Sequence, residues 1–524
     1  MWGRRSSRTV VLGIAVAASV IVCGLPLAYM LVRAGTAGGA YAALLLDARQ
    51  RALLANTAAL GTGTALLATL VGAPIGLALA RVAIPAKPIW RIALAAPVLL
   101  PPYVMGLAWV YLTGSAGLMA SIAGRDLGAE WTYSLPGAVL VLSLVFYPLS
   151  MLATEVAARR VEPRLEEAAL VVASPGRVLR GITLPLVAPS IGAAALVIFV
   201  LAVSEFGVPG LLRVRVFTTE VFTAFAALYD FSRATVLSLP LLALSILVAA
   251  LAASLVGERL VATRRGLSGA EPLAFEGWTR RTSVVAGCVL AIALVMPLAV
   301  LTWEALGISS MSSLVQGSRE AIRNSLGLAG LGATAVTLLA VWLGYARARA
   351  ARRVGIALDV LFVVLFAVPS TVVGVGLIGI WNRSGILGNI YGTQGMLLLA
   401  YLARFVPVAA LALAAGIRYV PMSQEEAAAV AGARWWRAMV RIVLPQIKLA
   451  LLATWTVVFI LAFGELGASL LVAPPGEATL PIRIYTIIAN TAPAQVAALA
   501  LLQSLVVLSP LAALALATTV WRRP

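Results

Sequence analysis

Few side chains in this sequence are placed to do chemistry, and most of those are carboxylates. Two Glu-Ala-Ala steps, Glu167-Ala168-Ala169 and Glu426-Ala427-Ala428, each open a short helical run and are followed 18 or 19 residues later by a proline, Pro185 or Pro445, in I-x-L-P. The surrounding stretches are near copies: Glu166 to Ser190 reads EEAALVVASPGRVLRGITLPLVAPS, and Glu425 to Leu449 reads EEAAAVAGARWWRAMVRIVLPQIKL. Glu205 in SEFG, Glu465 in GELG and Arg404 fall inside apolar runs, where an ionisable group is costly and is a functional candidate by default. The two carboxylates either meet a passing cation or cap and pin helices, and both readings stand. A buried arginine usually has a carboxylate partner, and for Arg404 Glu465 is one candidate. The chain has no histidine, which excludes imidazole catalysis and imidazole metal ligands. With no paired carboxylate motif either, no catalytic residue and no metal ligand is assigned. Cys23 and Cys288 lie in apolar runs and do not indicate a disulfide framework.

The elements that must carry these residues are membrane helices. The composition is 62% hydrophobic and 11% charged, with a mean hydropathy of +1.01, whereas soluble domains are roughly half apolar and a quarter charged. Runs near the ~20 residues that cross a bilayer as a helix fall at about 10–33, 54–80, 92–113, 135–158, 186–210, 236–257, 282–303, 324–346, 355–381, 395–417, 446–472 and 494–520. Twelve spans are expected. The net charge of +19 would suit nucleic acid, but the arginines sit in short loops between spans, so orientation explains them and no nucleic-acid partner is expected. With the N-terminus inside, 27 of the 39 basic residues fall on the cytoplasmic side, together with both termini and both Glu-Ala-Ala segments. The basic start MWGRRSSR precedes an apolar run longer than a signal-peptide core, and reads as a retained first span.

The halves share more than these segments. Asn56 through Arg81 recurs as Asn324 through Arg349, and Pro101, Gly106 and Gly117 recur as Pro369, Gly374 and Gly385, all 268 positions on. Pro148 recurs as Pro407, 259 on, and Glu205 and Gly207 recur as Glu465 and Gly467, 260 on. Such order predicts tandem duplication of a six-span unit, with two parallel repeats: a first half at 1–257, a polar cytoplasmic linker at 258–281 and a second half at 282–524. The Pro-Gly stretches Leu99 to Gly106 and Val368 to Gly376 are expected either to interrupt helices or merely to kink them.

The doubled segment resembles the cytoplasmic "EAA" loop of binding-protein-dependent ABC importer permeases, of the form E-A-A-x-x-x-G, nine residues, I-x-L-P. The resemblance implies an all-α integral membrane protein with the type I importer permease fold, twelve helices in two six-helix repeats, and EAA loops at about 159–190 and 418–449. It implies that Glu167, Ala168, Ala169 and Pro185, with Glu426, Ala427, Ala428, Gly432 and Pro445, couple the pore to an ATPase. Pro163 and Pro421 would stop the preceding helices, and a short helix would lie in a groove of the partner. A P-loop needs a Gly-Lys pair; the only lysines, Lys87 and Lys448, do not follow glycine. ATP would therefore be bound by two copies of a separate nucleotide-binding subunit, with no cofactor in this chain. A solute-binding protein and membrane lipid complete the expected partners, in a bacterial inner membrane. The second copy has the family glycine at Gly432; the first has Ala173 at that offset and is one residue shorter, which implies a tighter turn and unequal docking.

A single chain with both halves is typical of ferric-iron and thiamine importers, and less often of phosphonate or other small-anion importers. Leu99 to Gly114, Ser204 to Phe222 and Val368 to Leu387 look like the ferric-iron type. The alternative class is an ion-gradient-driven secondary transporter, which would not need two matched EAA segments.

Overall fold

The computed structural model describes residues 2–36, 47–124, 128–257 and 278–520, and among these every regular element is helical. Most of the expected linker, 258–277, lies outside the described residues. The helices used below are α1 (Trp2–Thr36), α2 (Ala48–Arg81), α3 (Lys87–Ala95), α4 (Pro102–Thr113), α5 (Leu135–Ala158), α6 (Pro163–Leu170), α7 (Leu184–Ser204), α8 (Trp278–Leu290), α9 (Met296–Ala305), α10 (Arg319–Ala348), α11 (Arg352–Ala367), α12 (Ser370–Trp381), α13 (Gly395–Arg418), α14 (Met422–Val430), α15 (Lys448–Phe463), α16 (Ser469–Val472) and α17 (Pro493–Val520).

Among the described residues, nine helices are long and apolar enough to cross a membrane, or eleven when two bent pairs each count as one span. Within α1 the apolar helical stretch Ser19–Arg33 falls below that length. The bent pairs show what a run of apolar residues conceals. Run 355–381 is α11 and α12 meeting at 90°: Pro369 has no N–H to continue the ladder and holds Val368 extended, at φ −62° and ψ 121°. The corresponding stretch of the first half breaks at Pro101, which precedes α4. These prolines therefore interrupt helices instead of kinking them. The second pair, Trp435–Gln446 and α15, bends by 74°.

Elements recur with matching lengths. Helices α4 and α12 have 12 residues each and begin 268 positions apart, and α5 and α13 have 24 each and begin 260 apart.

The chain forms two compact units, one from Met1–Leu44, Val221–Ile246 and Val315–Tyr485, the other from Leu45–Glu220, Leu247–Leu314 and Thr486–Pro524. Neither unit coincides with a sequence half. The Leu45–Glu220 unit is built on α2 and α5 with α7 against both, while α9 packs on α4 and α17. Gly76 lets α2 approach α5 closely: a Cβ there would overlap the Met151 carbonyl and come within 3.1 Å of Glu155 N. The Val315–Tyr485 unit repeats the arrangement with α10, α13 and α15, and Gly344 lies against Ala410 O and Ala414 N in the place of Gly76. Here the first helix of the chain, α1, packs on α12 and α13; a Cβ on Gly376 of α12 would lie 2.7 Å from Pro26 O. Each unit thus takes segments from the opposite sequence half.

Candidate functional site

The first Glu-Ala-Ala segment is α6. Pro163 occupies its first turn and Glu162 its N-cap, so the proline starts this helix, whereas the preceding α5 already ends at Ala158. Successive residues on a helix point about 100° apart, and the two adjacent glutamates accordingly part company. Glu167 and Ala168 are exposed and Ala169 is partly so. Glu166 is buried and meets Arg81, with side chains 3% and 2% exposed and Nε 3.0 Å from Oε2. Arg81 ends α2, where a cation complements the carbonyl end of a helix, and its Nη2 donates to Ala158 O at 2.6 Å. Thr183 Oγ1, from the wide helical turn Leu179–Thr183 that leads into Pro185, also donates to Glu166. One carboxylate and one guanidinium therefore join α2, the end of α5, α6 and the start of α7.

A second buried acid reinforces this end. Glu155 accepts from Arg91 Nε and Nη2, at 2.9 and 2.6 Å, and from Arg159 Nη2 at 2.7 Å. Burial, and after it the Arg159 guanidinium, hold the Lys87 ammonium below its usual pKa.

The second segment, α14, uses the same plan with other chemistry. Pro421 is its N-cap. Glu426 and Ala427 are exposed and Ala428 is partly so, while Glu425 turns inward to Arg349, with Nη2 to Oε1 2.6 Å. Arg349 Nη2 donates to Val420 O at 2.9 Å. In place of a threonine, Tyr345 OH donates to Glu425 Oε2 at 2.6 Å, and Trp435 Nε1 donates to Tyr345 OH at 3.0 Å. Trp342 and Trp436 stack beside them, 5.4 Å between centroids.

The segments end differently. After α14, Gly432 takes φ +84°, and Ala433 N donates to Ala428 O across the turn, the left-handed termination that glycine permits. Among the described residues from Glu166 to Ser190 no φ is positive; α6 closes through Ala173 N to Ala169 O. At the end of each helix apolar side chains stand in the open: Val171 and Val172 are 84% and 83% exposed, and Val430 is 90% exposed. Pro185 and Pro445 are exposed too.

Residues 336–520, which include α14 and its surroundings, match a family model described as "Binding-protein-dependent transport system inner membrane component". Over these residues the chain is similar to binding-protein-dependent inner-membrane permeases. Along most of its length it is similar to the Fe(3+)-transport system permease protein FbpB 2 of Haemophilus influenzae, 26% identical over 91% of this chain and 93% of the relative. The Ferric transport system permease protein FbpB of Actinobacillus pleuropneumoniae is 23% identical over 79% of this chain and 64% of its own length. The Molybdenum transport system permease protein ModB of Escherichia coli is 32% identical over 27% of this chain and 64% of its own length.

The intramembrane acids of the chain are held by their own helices. Glu465, buried between α15 and α16, accepts from Ala468 N at 2.9 Å and Ser469 N at 2.8 Å, and also from the Ser469 hydroxyl. Arg404 of α13 lies 3.5 Å away, so the expected partner is the one found. Glu205, partly exposed, accepts from Gly207 N at 2.8 Å. Both carboxylates therefore accept from backbone N–H groups at the start of the short helix that follows them. Sequence reasoning stopped one residue short in the Glu-Ala-Ala segments: Glu166 and Glu425, not the glutamates of the motif, make the interior contacts. The signal was present, since Arg81 recurs as Arg349 just as Glu166 recurs as Glu425.

Proposed function

We propose that this chain supplies both halves of the translocation pathway of an ABC importer, taking ferric iron from a solute-binding protein and driven by ATP hydrolysed on separate subunits. What carries the reading is the pair of segments α6 and α14. Each presents an exposed Glu-Ala step and at least one exposed valine while being fixed internally by an ion pair, buried in the first and half-buried in the second, the arrangement expected of a rigid knob that sits in another subunit. Two such knobs call for two copies of the ATPase subunit. Counting α1 with the eleven candidate spans gives twelve, in two parallel six-span repeats, with both termini and both knobs cytoplasmic.

Ferric iron is favoured because the relatives that run along most of the chain carry it in their names, while those named for molybdenum or 2-aminoethylphosphonate match less than a third. The test is uptake of radiolabelled ferric iron by proteoliposomes holding the permease, its ATPase and its binding protein. ATP-dependent uptake of iron, and not of molybdate, phosphonate or thiamine, is the expected result. Uptake that persists without the ATPase would replace this reading with a gradient-driven transporter.

A further inference from the structure

We propose that Glu166 and Glu425 are the positioning residues that transmit movement of the coupling segments to the membrane helices, acting through Arg81 and Arg349; this rests on the importer reading above. Three observations lead there. First, the two glutamates of each Glu-Glu pair divide the work: Glu167 and Glu426 face outward, free to meet a partner, and cannot also hold the segment to the bundle. Second, each arginine stands at the end of the helix that packs most intimately in its unit, α2 on α5 or α10 on α13, where Gly76 and Gly344 bring backbones into contact. A displacement of α6 or α14 reaches those pairs through the guanidinium, which also donates to a carbonyl at or just past the end of the neighbouring span, Ala158 O or Val420 O.

Third, the alternative routes are weak. The backbone between α5 and α6, and between α13 and α14, is a short non-helical turn. On the other side each segment is joined only by a short turn, 171–174 or 431–434, to the next helix, Pro175–Ser204 in the first case and Trp435–Gln446 in the second. An ion pair in which the acid also accepts from a hydroxyl has a narrow geometry, and Thr183 or Tyr345 supplies that donor. Coupling free energy needs a stiff connection between the site that binds ATPase and the element that changes state.

The test uses the complete complex of permease, ATPase and binding protein in proteoliposomes, with Glu425→Gln, Glu166→Gln and the exchange Arg349→Glu/Glu425→Arg. For each, ATPase subunits retained on the permease, ATP hydrolysed and solute imported are measured together. The single variants are expected to keep their ATPase subunits yet import roughly 5- to 150-fold less solute per ATP, the range of ordinary coupling energies, and the exchange is expected to recover part of the loss. Import per ATP within about twofold of wild type in both single variants overturns the proposal; so does loss of the ATPase subunits themselves, which would make the pair part of docking. Tyr345→Phe removes only a hydroxyl, guards against misfolding of the others, and is expected to lower import per ATP without loss of ATPase subunits; an unchanged ratio there counts against the proposal. A wild-type complex that fails to import with ATP would instead sink the importer reading.

Discussion

The α6 and α14 segments solve one problem with different materials. In the first, Arg81, Glu166 and Thr183 are buried almost completely and a neighbouring Arg91–Glu155–Arg159 cluster stiffens the same corner. In the second, Arg349 and Glu425 are 7% and 13% exposed, and the support is aromatic, through Tyr345, Trp435 and the Trp342–Trp436 stack. The position of Arg91 is taken by Asp359, 268 residues on, and the ion pair moves with it, to Arg347 on α10. The common plan is one inward acid, one outward acid and one helix-ending arginine. What surrounds that plan is replaceable, which teaches that the arginine and the inward acid are the parts the geometry needs.

That contrast sets the largest expected effect. Arg81→Met strands Glu166 in a closed site and should cost about 3–5 kcal/mol, read as a fall in the unfolding midpoint in detergent. Arg349→Met should cost clearly less, since Glu425 keeps Tyr345 and some access to water; equal losses would break the comparison. Next comes the pair of capping acids. Glu465→Ala removes three donors' acceptor and leaves Arg404 without its carboxylate, for about 3 kcal/mol, whereas partly exposed Glu205 should lose less in the same assay.

Smaller again is Gly432→Ala, which forces a Cβ into left-handed backbone at about 1–2 kcal/mol and should weaken ATPase binding to the second segment. The first segment, which turns without any positive φ, should accept Ala173→Gly with no such effect, checked by titrating the ATPase subunit onto each variant. Least of all, Glu167→Gln and Glu426→Gln should leave stability within about 0.5 kcal/mol while changing ATPase association. A stability change as large as that of Arg81→Met would mean that the outward acids also hold the fold.

The membrane helices were legible because twenty apolar residues leave little choice of structure, and the segments because their spacing recurs in order. The pairing of Arg404 with Glu465 could be anticipated from cost alone, as a buried guanidinium needs an anion. Less legible was which of two adjacent glutamates turns inward. Glu166 and Glu167 differ by one helical step, and only the position of Arg81, 85 residues earlier, decides between them. Nor does hydropathy reveal the 90° break at Pro369, since the apolar run continues across it. The exchange of first helices between units is hidden for a related reason: a repeat in sequence says which segments are alike, and nothing about which of two like surfaces a helix will choose.

That exchange has a consequence in time. Helix α1 is made first, yet the surfaces it packs against, α12 and α13, are complete only at Arg418. At about 5–20 residues per second of synthesis, α1 waits in the lipid for roughly 20 to 80 seconds with Pro26 and Tyr29 uncovered. A nascent chain released before then would present that unmatched face to the membrane.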